Sequence, residues 1–315
     1  MLQINEKDNK LFDMIVKFKM VPYDVAKQVY GGKWPAYKRV ERLISRNYIQ
    51  KVNHYILTLG EAAIAYLEEE RGVVFEPLAK MTAEEVMWRW QKVFEIGSRE
   101  YILPHFLSCW DFKRETRSDS TEMSDKNKIL GVARGYGIYR ISKETSQKTL
   151  SEYFTDIKEA TTFGVEKFVV LCDSKERLQE FLATEERLQN IPAKEISVLS
   201  YTQAGLRILD CIIGIPDYKE KLLSSLPVVK TQITVKNAHG DFETEDRIIH
   251  IGAGDIAAKR RLKALKAVTD KAIEVITLRG LEDRYKGVEA KITTVELSEF
   301  FKAVGYTNSK DGEAR

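Results

Sequence analysis

The stretch Tyr37–Glu61, YKRVERLISRNYIQKVNHYILTLGE, changes its apolar rhythm partway along. Val40, Leu43 and Ile44 recur at helical spacing, and two short β-prone runs, YIQKV and YILTL, then follow on either side of Asn53 and His54. The pattern demands a helix that hands over to a hairpin. Asn at the first loop position tolerates the positive φ of a two-residue turn, so the turn is expected at Asn53-His54. Upstream, Leu11, Phe12, Ile15 and Phe18 fall on one face of a first helix. Pro22 near a helix start, apolar Val25 and Val29, and the stop Gly31-Gly32 describe a short second one. Three helices and a hairpin are the outline of a winged helix.

Charge is unevenly placed along the chain. Residues 1–60 hold eleven Lys or Arg against five Asp or Glu, whereas the whole 315-residue chain is only +3. An excess confined to one end is expected where one domain meets a polyanion and the other does not. On the third helix Lys38, Arg39, Arg42 and Arg46 lie largely off the apolar face, with only Glu41 opposing them. A basic third helix can enter the major groove of duplex DNA while the hairpin tip reaches the neighbouring backbone. The expected DNA contacts are Lys33, Tyr37, Lys38, Arg39, Arg42, Arg46, Lys51 and His54. Arg39 and Arg42 are the best suited to base edges, because guanidinium bridges guanine bidentately. Tyr48 and Tyr55 are read as packing residues. The competing reading is a winged helix that binds another protein, its charges merely solvating a surface.

In YILTLGEAAIAYL, residues Tyr55, Leu57, Thr58 and Gly60 match a Y-x-L-T-x-x-G-like stretch except for one residue missing between Thr and Gly. On it the chain from Leu11 to Leu67 resembles the winged-helix start of the replication-relaxation proteins of plasmids and conjugative elements. The resemblance covers about a fifth of the chain, and it implies an endonuclease-like second domain. Residues 83–172 have the matching order of helix, hairpin, helix and strand. Active nucleases of that fold hold magnesium through strand carboxylates that activate water. The corresponding strand here reads YGIYRIS, with no acid at Ile138 or Arg140. A catalytically dead copy is therefore expected.

The expected domains are 1–75 for the winged helix, 76–100 for a connecting helix, 101–308 for an α/β domain, and a disordered tail at 309–315. Thr82-x-x-Glu85 is a capping box for a helix from 83 to about 97, from which one tryptophan, Trp88 or Trp90, docks on the first domain. The tract 113–128, KRETRSDSTEMSDKNK, is expected to be a solvated or mobile loop. Beyond it, strands alternate with helices. ILGVA and GIYRIS pair through Arg134–Tyr136, and Asp173 at the end of KFVVLCD caps a helix ending near Ala183. A long hairpin, VVKTQITVKN with FETEDRIIHIG, precedes a helix from 255 to about 270, the strand AIEVITL and a last helix opened by a Thr293-x-x-Glu296 box. The fold class is α/β, mixed α+β.

Other functions find little support. Cys109, Cys172 and Cys211 are too few and too far apart for a disulfide framework or zinc site, and His54, His105, His239 and His250 form no metal-binding pair. Neither a cofactor nor a metal is expected. No apolar run is long enough for a membrane span, and the charged start MLQINEKDNK does not suit a signal peptide, so a cytoplasmic protein is expected. Gly252, Gly254 and Ala257 satisfy G-x-G-x-x-A, but a tight turn with Asp255 as helix cap accounts for them more simply than a nucleotide site. On the helix 256–271, Ile256, Leu262, Leu265 and Val268 form one side and Lys259, Arg260, Lys263 and Lys266 lie on others, a solvated amphipathic helix before it is a DNA contact. The expected function is thus a non-enzymatic, double-stranded DNA-binding factor for the replication, transfer or transcription of a mobile element. A homodimer with possible protein partners is expected, and a metal-dependent nuclease or nucleotide-binding enzyme is the alternative.

Overall fold

The computed structural model describes residues 2–32, 34–77, 84–118, 121–184, 191–226 and 241–307. The chain is a mixed α/β protein that divides after Ile96 into two units. No helix among the described residues is long and apolar enough to cross a membrane. Lys33, Thr82, the run 228–237 and the tail 309–315 lie outside the described residues.

The first unit runs α1 (Glu6–Phe18), β1 (Val21–Pro22), α2 (Tyr23–Val29), α3 (Trp34–Ser45), β2 (Ile49–Lys51), β3 (Ile56–Leu59), α4 (Glu61–Arg71) and α5 (Glu84–Gly97). A reciprocal box opens α1: the Asn5 side chain accepts from Asp8 N at 3.0 Å, and Asp8 accepts from Asn5 N at 2.8 Å. Leu11, Phe12, Ile15 and Phe18 then turn inward as their spacing requires. At the far end of α3, Asn47 adopts φ 56, so that Tyr48 N reaches Leu43 O at 2.9 Å and Asn47 N reaches Ile44 O at 3.0 Å. This closed end redirects the chain into β2. The strand order is β1-β3-β2, all antiparallel. Strand β1 was not expected, because two residues, one of them proline, leave no alternation to read. Trp90 is the docking tryptophan: it is buried, and its Nε1 donates to Phe18 O at 2.8 Å, while Phe94 meets Phe18 edge-on at 5.1 Å. The helix expected to connect the domains thus packs as part of the first unit, and Trp88 stays exposed.

The second unit carries two sheets. The first has order β4-β5-β6-β7-β8, built from β4 (Phe106–Ser108), β5 (Gly131–Ala133), β6 (Tyr136–Ile141), β7 (Lys167–Cys172) and β8 (Glu195–Ser200). The first three strands form an antiparallel meander, and β6, β7 and β8 are parallel. Arg134 and Gly135, both at positive φ, make the expected β5-β6 turn. The connections include α6 (Cys109–Thr116), α7 (Gln147–Thr162), α8 (Lys175–Ala183), α9 (Gln203–Gly214) and α10 (Tyr218–Ser225). The second sheet has order β12-β11-β10-β9, from β9 (Phe242–Glu243), β10 (Arg247–Gly252), β11 (Ala272–Leu278) and β12 (Lys291–Val295), with α11 (Ile256–Lys266) and α12 (Leu297–Val304). The two sheets meet where Val198 N donates to Gly254 O at 3.0 Å and Ser197 bridges Asp255.

Several details depart from the sequence expectations. The polar tract 113–128 is partly internal: Met123 and Asn127 are buried, and Asn127 bonds Asp156 O, Glu159 and Tyr139. Ser174, not Asp173, caps α8, because Asp173 is taken by Arg140 at 2.7 Å. The described part of FETEDRIIHIG folds back on itself, β9 pairing with β10. Thr293 lies within β12 and donates to Glu274, so no capping box opens α12. Helix α11 stops at Lys266, leaving Val268 81% exposed instead of on the apolar side.

Candidate nucleic-acid interface

Helix α3 buries Ala36, Val40 and Leu43, and its opposite side carries Trp34, Tyr37, Lys38, Arg42 and Arg46, all exposed. Positions 34, 38 and 42 follow at i,i+4, so they form one continuous stripe. Lys38 lies over the Trp34 ring, 5.8 Å from its centroid. Neither Lys38, Arg42 nor Arg46 has a carboxylate partner among the described residues, which leaves their charge available to a polyanion.

Arg39 is different. Its guanidinium turns back to α1, where it binds both oxygens of fully buried Asp8, Nε at 3.0 Å, and also donates to Gln3 O at 2.7 Å. Tyr30 OH donates to the same carboxylate at 2.7 Å. Asp8 therefore ties α1, α2 and α3 together, and this pairing holds the Arg39 guanidinium above its ordinary pKa, burial opposing. The expected base contact from Arg39 is corrected on that ground: Asp8 and Gln3 O engage its Nε and Nη2 donors.

Around Tyr37 stands a cluster that sequence reasoning passed over. Lys27 lies 4.5 Å from the Tyr37 ring centroid and 5.0 Å from that of Tyr23, is paired with Asp24 at 2.5 Å, and donates to Tyr37 OH at 3.3 Å. Tyr23 OH and Lys51 Nζ both bind Glu41, at 2.7 and 3.2 Å. The hydrogen bond from Tyr23 is the largest cause of a lowered Glu41 pKa. Lys51 is thus engaged by the one acid of α3, not held free at the hairpin.

The hairpin tip also differs from expectation. Val52 N donates to Ile56 O at 2.9 Å, leaving Asn53, His54 and Tyr55 as a three-residue connection, and neither Asn53 nor His54 has positive φ. Asn53 instead accepts from Tyr55 N through its side chain at 2.8 Å. With one more residue in the loop, His54 is exposed as expected, and Tyr55 projects, 78% exposed. Tyr48 does pack, stacked on Phe12 at 6.2 Å, whereas the packing role expected for Tyr55 is corrected.

In the second unit, Gly252 ends β10 packed against Tyr285, Gly254 bends the chain at φ 79, and Asp255 caps α11 through Ala257 N at 3.0 Å. The same carboxylate accepts from Ile196 N at 2.9 Å and pairs with Arg261 at 3.0 Å, so the helix start is occupied by the protein's own anion. Ile138 is buried, and Arg140 is held by Asp173 under the Tyr201 ring at 3.5 Å. Among the described residues no three His, Cys, Asp or Glu side chains gather as a metal site. No protein-family model, curated protein or solved structure matches the chain.

Proposed function

We propose that the first unit is a winged helix that binds duplex DNA, with α3 in the major groove and the β2-β3 tip on the adjacent backbone. The observation that carries this reading is the exposed stripe of Lys38, Arg42 and Arg46, which has no carboxylate partner among the described residues. Support comes from the order α1-β1-α2-α3-β2-β3, in which a short strand completes the sheet behind the third helix. In this reading Arg42 is the foremost candidate for a base edge, Lys38 and Arg46 neutralise phosphates, and His54 and Tyr55 touch the backbone from the wing. Two copies would present two such helices to neighbouring grooves. The second unit is proposed to be a non-catalytic partner or dimerisation module; its meander, crossover helix and parallel strand support an endonuclease-like core in which Ile138 and Arg140 stand where metal-binding acids would. The kinship with replication-relaxation proteins is likewise a proposal, resting on Tyr55, Leu57, Thr58 and Gly60.

Fluorescence anisotropy on a labelled duplex, titrated against salt, tests it. Each phosphate that the protein no longer neutralises reduces the slope of log affinity against log salt by about 0.9. The variant Lys38→Ala/Arg42→Ala/Arg46→Ala should lower both affinity and slope while folding normally. An unchanged slope rejects the assignment. The reading of this unit as a protein-binding module has one observation in its favour, the exposure of Trp34 and Tyr55 at 71% and 78%. It predicts no salt-sensitive duplex binding at all.

A further inference from the structure

The second unit contains a cationic cavity that the DNA-binding reading does not use. It has a volume of about 730 Å³ and lies at the carboxyl ends of parallel strands, bounded by α8, Ser200 at the end of β8, Ile256 at the start of α11, and the segment after β11. Lys175, Lys259, Arg284 and Lys286 line it against one carboxylate, Asp283. In open sheets of this kind, ligands settle outside the carboxyl ends of the strands.

Arg284 sets this cavity apart from an ordinary basic surface. It is only 8% exposed, and its Nε finds no acceptor among the described residues. Burial lowers the guanidinium pKa, with Asp283 the main opposing influence. A buried cation without a paired acceptor is costly and is normally compensated by an anion. Leu178, Leu182 and Ile256 line the same cavity, giving it an apolar wall beside its charges. The volume falls in the range of small-molecule sites, and the combination of apolar wall and clustered cations is what a ring bearing phosphates requires.

We propose that this cavity binds a nucleoside phosphate, its phosphates held by Arg284 with Lys175 and Lys286 and its ring system against Leu178, Leu182 and Ile256. The phosphates do not sit on the amino terminus of α11, where Asp255 already serves as cap.

Thermal melting and calorimetry of the full chain, with ADP, GDP, pyrophosphate and adenosine as probes, test the site. The nucleotides should raise the melting temperature and pyrophosphate should do so less, while adenosine has no effect. Arg284→Met should keep or raise the melting temperature without ligand, since it removes a buried charge whose Nε has no acceptor among the described residues, and should abolish the response to ADP. The exposed pair Lys175→Ala/Lys286→Ala leaves the fold intact and should weaken ADP roughly tenfold or more. No response of the parent protein to either nucleotide, or a response unchanged in the lysine variant, overturns the proposal. Equal binding of pyrophosphate and ADP overturns the nucleoside assignment.

Discussion

The Arg39 guanidinium is bound to the Asp8 carboxylate across 31 residues of sequence, and Asp8 is fully buried. One ion pair thereby decides which of two neighbouring arginines on α3 faces outward. Arg39→Ala leaves Asp8 buried without its cation, and breaking such a pair costs about 3–5 kcal/mol. Arg42→Ala, on the exposed side, should stay within about 0.5 kcal/mol of the parent. Urea unfolding of the two variants measures the difference, and equal stabilities would contradict the structural role of Arg39. The practical consequence is that a combined Arg39 and Arg42 variant confounds binding with folding, whereas Arg42→Ala alone separates them.

Trp34 gives the proposed interface an optical signal. It is 71% exposed, while Trp90 is buried and hydrogen-bonded. Duplex binding over α3 should shield Trp34 from acrylamide, and Trp34→Phe should remove most of the DNA-dependent loss of quenching. A duplex-dependent change that survives this substitution would place the contact elsewhere.

Local signals proved readable where one residue pair sufficed. Arg134 and Gly135 need only each other to form their turn, and the apolar spacing of Leu11, Phe12, Ile15 and Phe18 already defines a buried face. What escaped reading depends on distant partners. An amphipathic stripe shows which side of α3 is buried, but the inward turn of Arg39 is set by a carboxylate on another helix. Thr293-x-x-Glu296 has the letters of a capping box, yet Thr293 pairs with Ile276 because β11 offers a parallel edge. Helix α10 starts from Asp217 in a left-handed conformation with no side-chain cap, so it leaves no start signal. The cavity around Arg284 draws on four segments and has no sequence motif of its own.

The three cysteines should be silent toward thiol reagents. All three are buried. Burial pushes the Cys172 thiol up to about 12 and raises that of Cys211 as well. Thiolate is the reactive form, so a chromogenic disulfide reagent at neutral pH should label none in the native protein and all three in denaturant. Rapid labelling of Cys172 under native conditions would show that its strand opens easily.

Acid should loosen the second unit through Asp241. Burial alone would raise its pKa, but His250 Nδ1 at 2.9 Å and Lys219 Nζ at 2.9 Å reverse this and hold the carboxyl well below the usual range. Ile251 N adds a further donor at 2.7 Å. Lys219 in turn lies 3.6 Å from buried Glu195, which accepts from Tyr136 OH and Ser197. Because the folded pKa of Asp241 is below the unfolded value of about 3.9, its contribution is complete above that pH and drains away as the pH falls through the folded value. Asp241→Asn keeps the shape and removes the charge, leaving Lys219 with a weaker acceptor. It should lose about 3 kcal/mol at neutral pH, and its stability should fall less steeply than the parent's below about pH 4. Chemical denaturation at several pH values, followed by near-ultraviolet circular dichroism, measures both quantities. A variant whose acid profile runs parallel to the parent's would remove Asp241 as the source of the acid sensitivity.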